Sequence, residues 1–267
     1  MADIETTVGN LPINSRIIMG NYAVSGAPSE AVHWLKATND CEFIAESVLD
    51  HLAFDAREDD SENHYLRSYG NPNYELSNIL AFLNSDQQDW YYPAHEFDEA
   101  PHMYALSERI GAYDRREGFL YGFEDYEIES MIHYHKNGCY AKVHLPEYAD
   151  IIGASCFKLF MRKGVRPHPT CGLVHAKRTL EMGSTSYASF WTCTQSGNNT
   201  LYAIDRSATR ENVAPCRSRG IRPTCLLNRN TVVSTTSYGK DTYVIKPFGT
   251  AADQAFSNEE FFSLLGI

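Results

Sequence analysis

The sequence is short of positive charge. It has 23 lysine and arginine residues against 34 aspartate and glutamate residues, which gives a formal net charge of −11 at pH 7. Nucleic-acid binding depends on many lysine and arginine contacts with phosphate groups, and anionic membranes attract clusters of the same residues. We therefore expect neither a nucleic acid nor a membrane among the partners of this protein.

Long apolar runs and a regular cysteine framework are also missing. No apolar stretch approaches the ~20 residues of a membrane-spanning helix, and residues 1–10, MADIETTVGN, have neither the basic nor the apolar segment of a secretory signal. The cysteines are scattered and odd in number: Cys41, Cys139, Cys156, Cys171, Cys193, Cys216 and Cys225. This pattern indicates buried thiols made in a reducing cytoplasm, not a set of disulfides.

What the sequence does have is a globular composition rich in aromatic residues. Hydrophobic residues make up 43% of the 267 positions, and the 17 tyrosines and 13 phenylalanines favour β structure. A chain of this length buries roughly 70–75% of its unfolded surface, so it needs no metal or disulfide to fold. We expect one large domain or one domain with extensions.

The stretch from residue 189 to residue 227 is typical of β-hairpins. Three short strand-like runs, 189–194, 201–205 and 221–227, are separated by clusters of serine, glycine and asparagine. A stiff β framework with polar loops is suited to presenting a binding surface. We hypothesise that eight residues outline a ligand-facing surface: Trp191, Gln195, Asn198, Asn199, Tyr202, Arg206, Arg217 and Arg219. The alternative is a hairpin rim that contacts only solvent.

Further strands are predicted on both sides of this stretch, and the acidic segment 55–63 indicates a solvated loop. The predicted strands are 16–24, 32–38, 41–49, 142–145, 231–236 and 242–246. Strand 242–246 could add to the sheet edge of a neighbouring molecule. Arg222 lies in an otherwise apolar strand, and a buried cation must pair with a carboxylate or with backbone carbonyls, so we interpret it as structural.

Two helices are predicted in the first half of the chain. Residues 74–84 follow Asn73, a suitable cap, and their apolar spacing predicts a buried face of Leu76, Ile79, Leu80 and Leu83. Residues 124–133 begin with acidic residues, which favour a helix start, and predict a buried face of Ile128, Met131 and Ile132. A helix here would place His133 and His135 on nearly opposite sides, where they could not share a metal ion.

The order of several short motifs resembles a known family. GNYAV and HWLKAT come first, followed by GNPNYELSNILAFLNS, EGFLYGFEDYEIESMI, KVHLPE, SFWTCT and GIRPTCLL. This succession, over roughly residues 13–228, resembles a domain family of unknown function that is common in gut bacteria and their phages. Its members have a C-type-lectin-like fold related to that of formylglycine-generating enzymes. In contrast to the family pattern, FWTCT replaces the usual penultimate strand, and the residues beyond 228 fall outside it.

The resemblance implies an α+β fold with twisted antiparallel sheets and two helices. We expect an N-terminal arm over residues 1–15, the C-type-lectin-like domain over 16–228 and a C-terminal extension over 229–267. The resemblance implies no catalytic activity. It favours a phage virion structural protein, a head decoration or tail component assembled in the bacterial cytoplasm, with other virion proteins or copies of itself as partners. The alternative is a module of bacterial or phage origin that binds host-surface glycans for attachment.

Three chemical interpretations give way to simpler ones. His168, Cys171 and His175 have zinc-like spacing, with Cys156 or Cys193 as a fourth ligand, but structural zinc needs four ligands, and we favour ordinary loop residues. The signatures of calcium-dependent lectins are absent. Formylglycine-generating enzymes use a reactive cysteine pair, whereas we expect Cys193 and Cys225 to be buried and inert on strands. We therefore expect no cofactor, metal or catalytic residue.

The C-terminal segment contains a candidate assembly contact. Ser257 and Glu260 form the pattern of a capping box, and a short apolar helix is predicted after them. A helix this short must dock to be ordered. We expect it to dock on a neighbouring subunit or on the particle, and its own domain is the alternative. The contact residues would be Phe261, Phe262, Leu264 and Leu265.

Overall fold

The structure is a computed structural model that describes residues 5–23, 28–88, 90, 116–153, 189–205, 209–236 and 241–247. These residues form mixed sheets with four short α-helices, an α+β or mostly β architecture. Within the described part of the chain, no helix is long and apolar enough to cross a membrane.

The elements are short and most of them are strands. In chain order they are β1 (Glu5–Thr7), β2 (Arg16–Tyr22), β3 (Glu30–Lys36), β4 (Glu42–Ala45), β5 (Asp50–Ala53), α1 (His64–Tyr69), α2 (Asn78–Leu83), α3 (Asp125–Ser130), β6 (Met131–Ile132), β7 (Tyr134–Lys136), β8 (Cys139–Ala141), β9 (Val143–His144), α4 (Tyr148–Gly153), β10 (Phe190–Gly197), β11 (Thr200–Ile204), β12 (Arg210–Val213), β13 (Ser218–Ile221), β14 (Thr224–Leu227), β15 (Val232–Thr235) and β16 (Thr242–Ile245).

Two sheets carry the fold. The larger has the order β1-β15-β16-β2-β3-β4-β14-β6, with β9 also paired to β14, and the smaller has the order β12-β11-β10-β13-β5. Most neighbours are antiparallel, but β16 pairs with β2 and β10 pairs with β13 in parallel. The strands predicted near residues 16–24, 32–38, 231–236 and 242–246 are confirmed. The segment 41–49 instead holds only the short β4, and the chain then enters β5.

One end of the larger sheet, β1-β15-β16, comes from segments that the sequence interpretation placed outside the domain. Strand β1 pairs with β15, and β16 pairs with β2. The side chain of Lys36 donates from Nζ to the carbonyl oxygens of Val8 at 2.9 Å and Leu11 at 2.7 Å, which fixes the N-terminal residues. The boundaries drawn at residues 15 and 228 therefore cut through this sheet. The expectation that 242–246 pairs with a neighbouring molecule is wrong, because β16 lies between two strands of its own chain.

The first predicted helix is broken at Ser77. A 3₁₀ turn covers Tyr74–Leu76, capped by Asn73. Ser77 then has an extended backbone and caps α2 by accepting from the N–H of Leu80. Because of the break, the residues before and after Ser77 no longer share one buried face. Leu76 is 41% exposed and Leu80 is only partly buried, contrary to the prediction. The buried apolar side chains of α2 are Ile79, Phe82 and Leu83.

The second predicted helix is shorter than expected. Helix α3 has a capping box between Glu124 and Glu127 and ends at Ser130, because Met131 has an extended backbone. Met131 is buried as predicted, but Ile132 is 40% exposed, which corrects that part of the predicted face. His133 and His135 are therefore not on a helix. Both rings contact that of Tyr140, with centroids 5.4 and 4.8 Å away.

The acidic segment 55–63 is less solvated than predicted. Asp55 is fully buried and accepts hydrogen bonds from the backbone N–H groups of Asn71 and Asn78, both at 2.9 Å. Glu58 is also buried. Buried carboxylates need hydrogen-bond partners, and both of these have them. The hydrogen bonds fix the chain before α2.

The buried apolar residues form two clusters. The main core includes Trp34, Phe43, Phe54, Phe119 and Trp191. A second core consists of Leu35, Ala37, Ile44, Val48, Ile151, Phe190 and Ile204, with Ile13 and Tyr148 packed against it. The second core joins β3 and β4 of the larger sheet to β10 and β11 of the smaller sheet and to α4. It therefore fixes the position of the hairpin on which the predicted ligand surface lies.

Candidate binding surface

The hairpin of β10 and β11 separates its side chains onto two faces. Phe190 lies opposite Ile204, and Trp191 lies opposite Ala203. Because side chains alternate along a strand, the first pair faces the second core and the second pair faces the main core. The hairpin is thus buried on both faces at this end, where neither face is accessible to a ligand.

Trp191 is a core residue. Its side chain is fully buried, its indole Nε1–H donates to the carbonyl oxygen of Leu52 at 2.8 Å, and its ring lies 5.7 Å from that of Phe54. The expectation that Trp191 faces a ligand is therefore wrong. A buried indole needs a partner for its N–H, and β5, two strands away in the same sheet, supplies one.

A partly exposed cluster of two tyrosines and one arginine lies on the second-core face. Tyr202 is in β11, Arg210 begins β12 and Tyr148 begins α4. The rings of Tyr148 and Tyr202 are 5.3 Å apart, and the Arg210 guanidinium lies 4.8 Å from the Tyr202 ring and 5.9 Å from the Tyr148 ring. Both tyrosines are half-buried and Arg210 is exposed. We call Tyr148, Tyr202 and Arg210 the tyrosine–arginine surface.

The position of Tyr148 is fixed by β10. Its backbone N–H donates to the hydroxyl of Thr194 at 2.9 Å, and the N–H of Cys193 donates to the carbonyl of Pro146 at 3.0 Å. Two residues further along α4, Asp150 accepts from the Lys136 ammonium group at 2.8 Å. The first turn of α4 is therefore held by β10 through Tyr148 and by β7 through Asp150.

The position of Arg210 is fixed by the closure of β11 and β12. Arg210 lies opposite Ile204, and Asn212, which is exposed, lies opposite Tyr202. Asp205 accepts from the N–H of Thr209 at 2.8 Å and its own N–H donates to the carbonyl of Thr209 at 2.8 Å. This arrangement keeps Arg210 next to Tyr202 on the same face.

The remaining predicted surface residues do not form one site. Gln195 and Asn198 are exposed and Asn199 is half-buried at the turn of the hairpin, where Gln195 Nε2 donates to the carbonyl of Gly197 at 2.8 Å. Strand β13 pairs with β10 only at the opposite end, at Phe190, so Arg217 and Arg219 lie away from this turn. Arg217 is exposed.

The charge of Arg219 is already paired. Its Nε donates to Glu211 Oε1 at 2.6 Å, and both side chains are partly buried. Arg206 lies outside the described residues, as do the candidate metal ligands His168, Cys171 and His175, the cysteine Cys156 and the assembly residues Phe261, Phe262, Leu264 and Leu265. Among the described residues, no group of three or more histidine, cysteine or acidic side chains could hold a metal ion.

The chain matches no protein-family model, no curated protein and no solved structure. The chemistry of the tyrosine–arginine surface therefore follows from its own residues alone. Two tyrosine rings offer apolar faces and hydroxyl groups, and a guanidinium group adds N–H donors. Such groups bind and orient a ligand.

Several titratable groups away from this surface are buried. Cys193 and Cys225 are buried as predicted, and burial raises the pKa of both thiols well above the usual range. Burial also raises the pKa of Cys139 to about 11 and lowers that of His144 to about 4. At neutral pH these thiols are protonated and this imidazole is neutral, which gives them structural character and low nucleophilicity.

Sequence reasoning identified Tyr202 but missed Tyr148, Arg210 and Asn212. Asn212 and Arg210 could have been found from strand alternation, because they share a face with their β11 partners once the register is known. Tyr148 had no comparable signal. It reaches the surface through a hydrogen bond to Thr194, which is 46 residues away in the chain.

Proposed function

We propose that this protein is a non-catalytic binding module that recognises a glycan on a host surface. The observation that carries the proposal is the tyrosine–arginine surface, where two half-buried tyrosine rings lie 5.3 Å apart and an exposed guanidinium group lies over one of them. We further propose that the domain has a C-type-lectin-like fold, as its sequence motifs imply.

The chemistry of the surface suits a sugar. A tyrosine side chain presents an apolar face and a polar tip, which match the apolar face and the hydroxyl groups of a sugar ring. The three residues are held by a paired sheet and by the first turn of α4. A preformed surface loses little conformational entropy when a ligand binds, which favours recognition of a small polar ligand.

The buried state of the reactive side chains supports a binding role over a catalytic one. Cys193 and Cys225 are the residues that we compared with the reactive cysteine pair of formylglycine-generating enzymes. Both thiols have a raised pKa and are fully buried. General acid–base catalysis needs titratable groups within reach of a substrate. The tyrosine–arginine surface has aromatic and guanidinium groups instead.

The binding test is a glycan array probed with the wild-type protein and with the double variant Tyr148→Ala/Tyr202→Ala. We expect the wild type to bind a defined set of glycans and the double variant to lose at least about tenfold in affinity, since aromatic anchors carry much of the binding energy in such sites. Tyr140→Ala is the matched control, because Tyr140 is 63% exposed on β8. Equal binding by the folded double variant would refute the proposal.

The particle setting is a separate proposal that comes from the resemblance. A phage head decoration or tail component would carry this module on the virion, with other virion proteins or copies of itself as partners. Quantitative mass spectrometry of purified particles tests it. Many copies per particle favour decoration, a few copies favour a tail adhesin, and absence from the particle contradicts the virion setting.

A further inference from the structure

We infer that the ligand of the tyrosine–arginine surface is an acidic glycan whose carboxylate binds Arg210. This inference rests on the proposed glycan-binding function and names the chemical class of the sugar. It is carried by the surroundings of one guanidinium group, which is exposed and lies over two tyrosine rings.

Arg210 has no carboxylate partner among the described residues. Its contacts are the two tyrosine rings and the hydroxyl of Tyr202, to which Nη1 donates at 3.5 Å. By contrast, Arg16 pairs with Glu46, Arg116 with Asp50 and Arg219 with Glu211. Arg210 is thus an exposed guanidinium group that lies over two tyrosine rings and pairs with no described carboxylate.

The neighbouring carboxylates are engaged elsewhere. Glu211 follows Arg210 directly in the chain but faces the other side of β12 and binds Arg219 through Nε at 2.6 Å and Nη2 at 3.4 Å. Asp205 closes the β11–β12 connection by accepting from the N–H and the hydroxyl of Thr209 at 2.8 and 2.6 Å. Within the described part of the chain, the two acids nearest to Arg210 in sequence therefore leave its charge for a ligand.

The position of Arg210 suits a carboxylate that belongs to a sugar. A guanidinium group that lies over an aromatic ring is held in place by cation–π attraction and keeps donors at its edge. Those donors match a carboxylate in a two-pronged geometry. A sugar ring on the tyrosines would place a carboxylate substituent within reach of this edge. A single arginine in a protein of net charge −11 fits one carboxylate better than a polyanion.

The test is an array in which sialylated and uronate-containing glycans stand beside their neutral and sulfated counterparts, followed by calorimetric titration of the best matched pair. We expect the wild type to bind the carboxylated member at least about tenfold more tightly than the neutral member. Arg210→Gln should reduce this preference to about twofold or less, chiefly by weakening binding of the carboxylated member. Arg67→Gln is the matched control, since it removes one exposed positive charge on α1 and should leave the preference intact.

The results distinguish failure of this inference from failure of the proposed function. Equal affinity for the carboxylated and neutral members, or a preference for sulfated over carboxylated glycans, would overturn the inference and leave the proposed function standing. A carboxylate preference that survives in folded Arg210→Gln would also overturn it. Binding to no glycan at all would overturn both the inference and the proposed function.

Discussion

The β10–β11 hairpin carries aromatic side chains on both faces. Of these side chains only that of Tyr202 is partly exposed. Trp191 faces the main core and donates to Leu52, whereas Tyr202 faces the other side and contacts Arg210. The register explains the difference, because Trp191 lies opposite Ala203 and Tyr202 lies opposite Asn212. An aromatic residue in a hairpin is thus a binding candidate only when its face and its neighbours are known.

Two arginines repeat the same contrast. Arg222 lies 5.5 Å from the ring of Phe190, is fully buried and donates from Nε to the carbonyl of Ala45 at 2.8 Å. We predicted a carboxylate or a backbone carbonyl as the partner of Arg222, and the structure shows a carbonyl as the partner of this buried, structural arginine. Arg210 makes a similar contact with Tyr202 but is exposed. The contact with a ring is common to both, and the burial around it decides whether the cation is available to a ligand.

The largest expected effect comes from exchanging the two hairpin aromatics for alanine. Trp191→Ala should lower the free energy of unfolding by about 3–5 kcal/mol, because it leaves a large cavity in the main core. Tyr202→Ala should cost less than about 1 kcal/mol, since its ring is partly exposed. Urea denaturation measures both. Similar losses of stability for the two variants would contradict the assignment of one residue to the core and the other to the surface.

The second prediction concerns buried and exposed histidines. Burial lowers the pKa of His144 from its ordinary value of 6.5 to about 4, so the unfolded chain binds a proton in this range and the folded chain does not. The contribution of His144 to the free energy of unfolding is therefore fully present above pH 6.5. It is lost as the pH falls towards 4, and the loss is about 3 kcal/mol. Urea denaturation at a series of pH values measures the loss.

Two variants isolate the contribution of His144. Nε2 of His144 donates to the carbonyls of Tyr134 and Ala141 at 3.0 and 3.1 Å, and the amide of glutamine can replace this donor. His144→Gln should therefore flatten the pH dependence, whereas the exposed His133→Gln should leave it as in the wild type. A slope between pH 6.5 and 4 that does not change in His144→Gln would rule out this origin.

The third prediction compares Leu80 with a fully buried position of α2. Its side chain is only partly buried, so Leu80→Ala should cost about 1 kcal/mol, whereas Ile79→Ala, at a fully buried position of α2, should cost about 2–4 kcal/mol. Thermal unfolding compares them with Glu75→Ala, an exposed control. A larger loss for Leu80→Ala than for Ile79→Ala would mean that the continuous helix predicted from the sequence is the better description.

The sequence predicted local elements well and long-range placement poorly. Strand patterns located β2, β3, β15 and β16, because period-two alternation is a local property. The break at Ser77 was missed, since a serine can continue a helix or cap a new one and only the backbone decides. The pairing of the predicted arm with the predicted extension was missed for a different reason. The pairing of β1 with β15 joins residues more than 200 positions apart.

The candidate site was found in part for the same reason. Tyr202 lies in a recognisable strand, but Tyr148 joins it through α4, and Trp191 resembled a surface aromatic until its register was known. Face assignment depends on register, and a shift of one residue exchanges the two faces. The sequence alone could therefore name the hairpin and could not name the side of it that meets solvent.

The most direct test of the binding surface is nuclear magnetic resonance of the wild-type protein titrated with a glycan selected on the array. We expect saturable shifts of the Arg210 Nε–H signal and of the ring signals of Tyr148 and Tyr202. The side-chain amide signals of Gln195 and Asn198, at the hairpin turn, should not move. Saturable shifts at the turn, with Arg210 and both tyrosines unchanged, would contradict the tyrosine–arginine surface as the binding site.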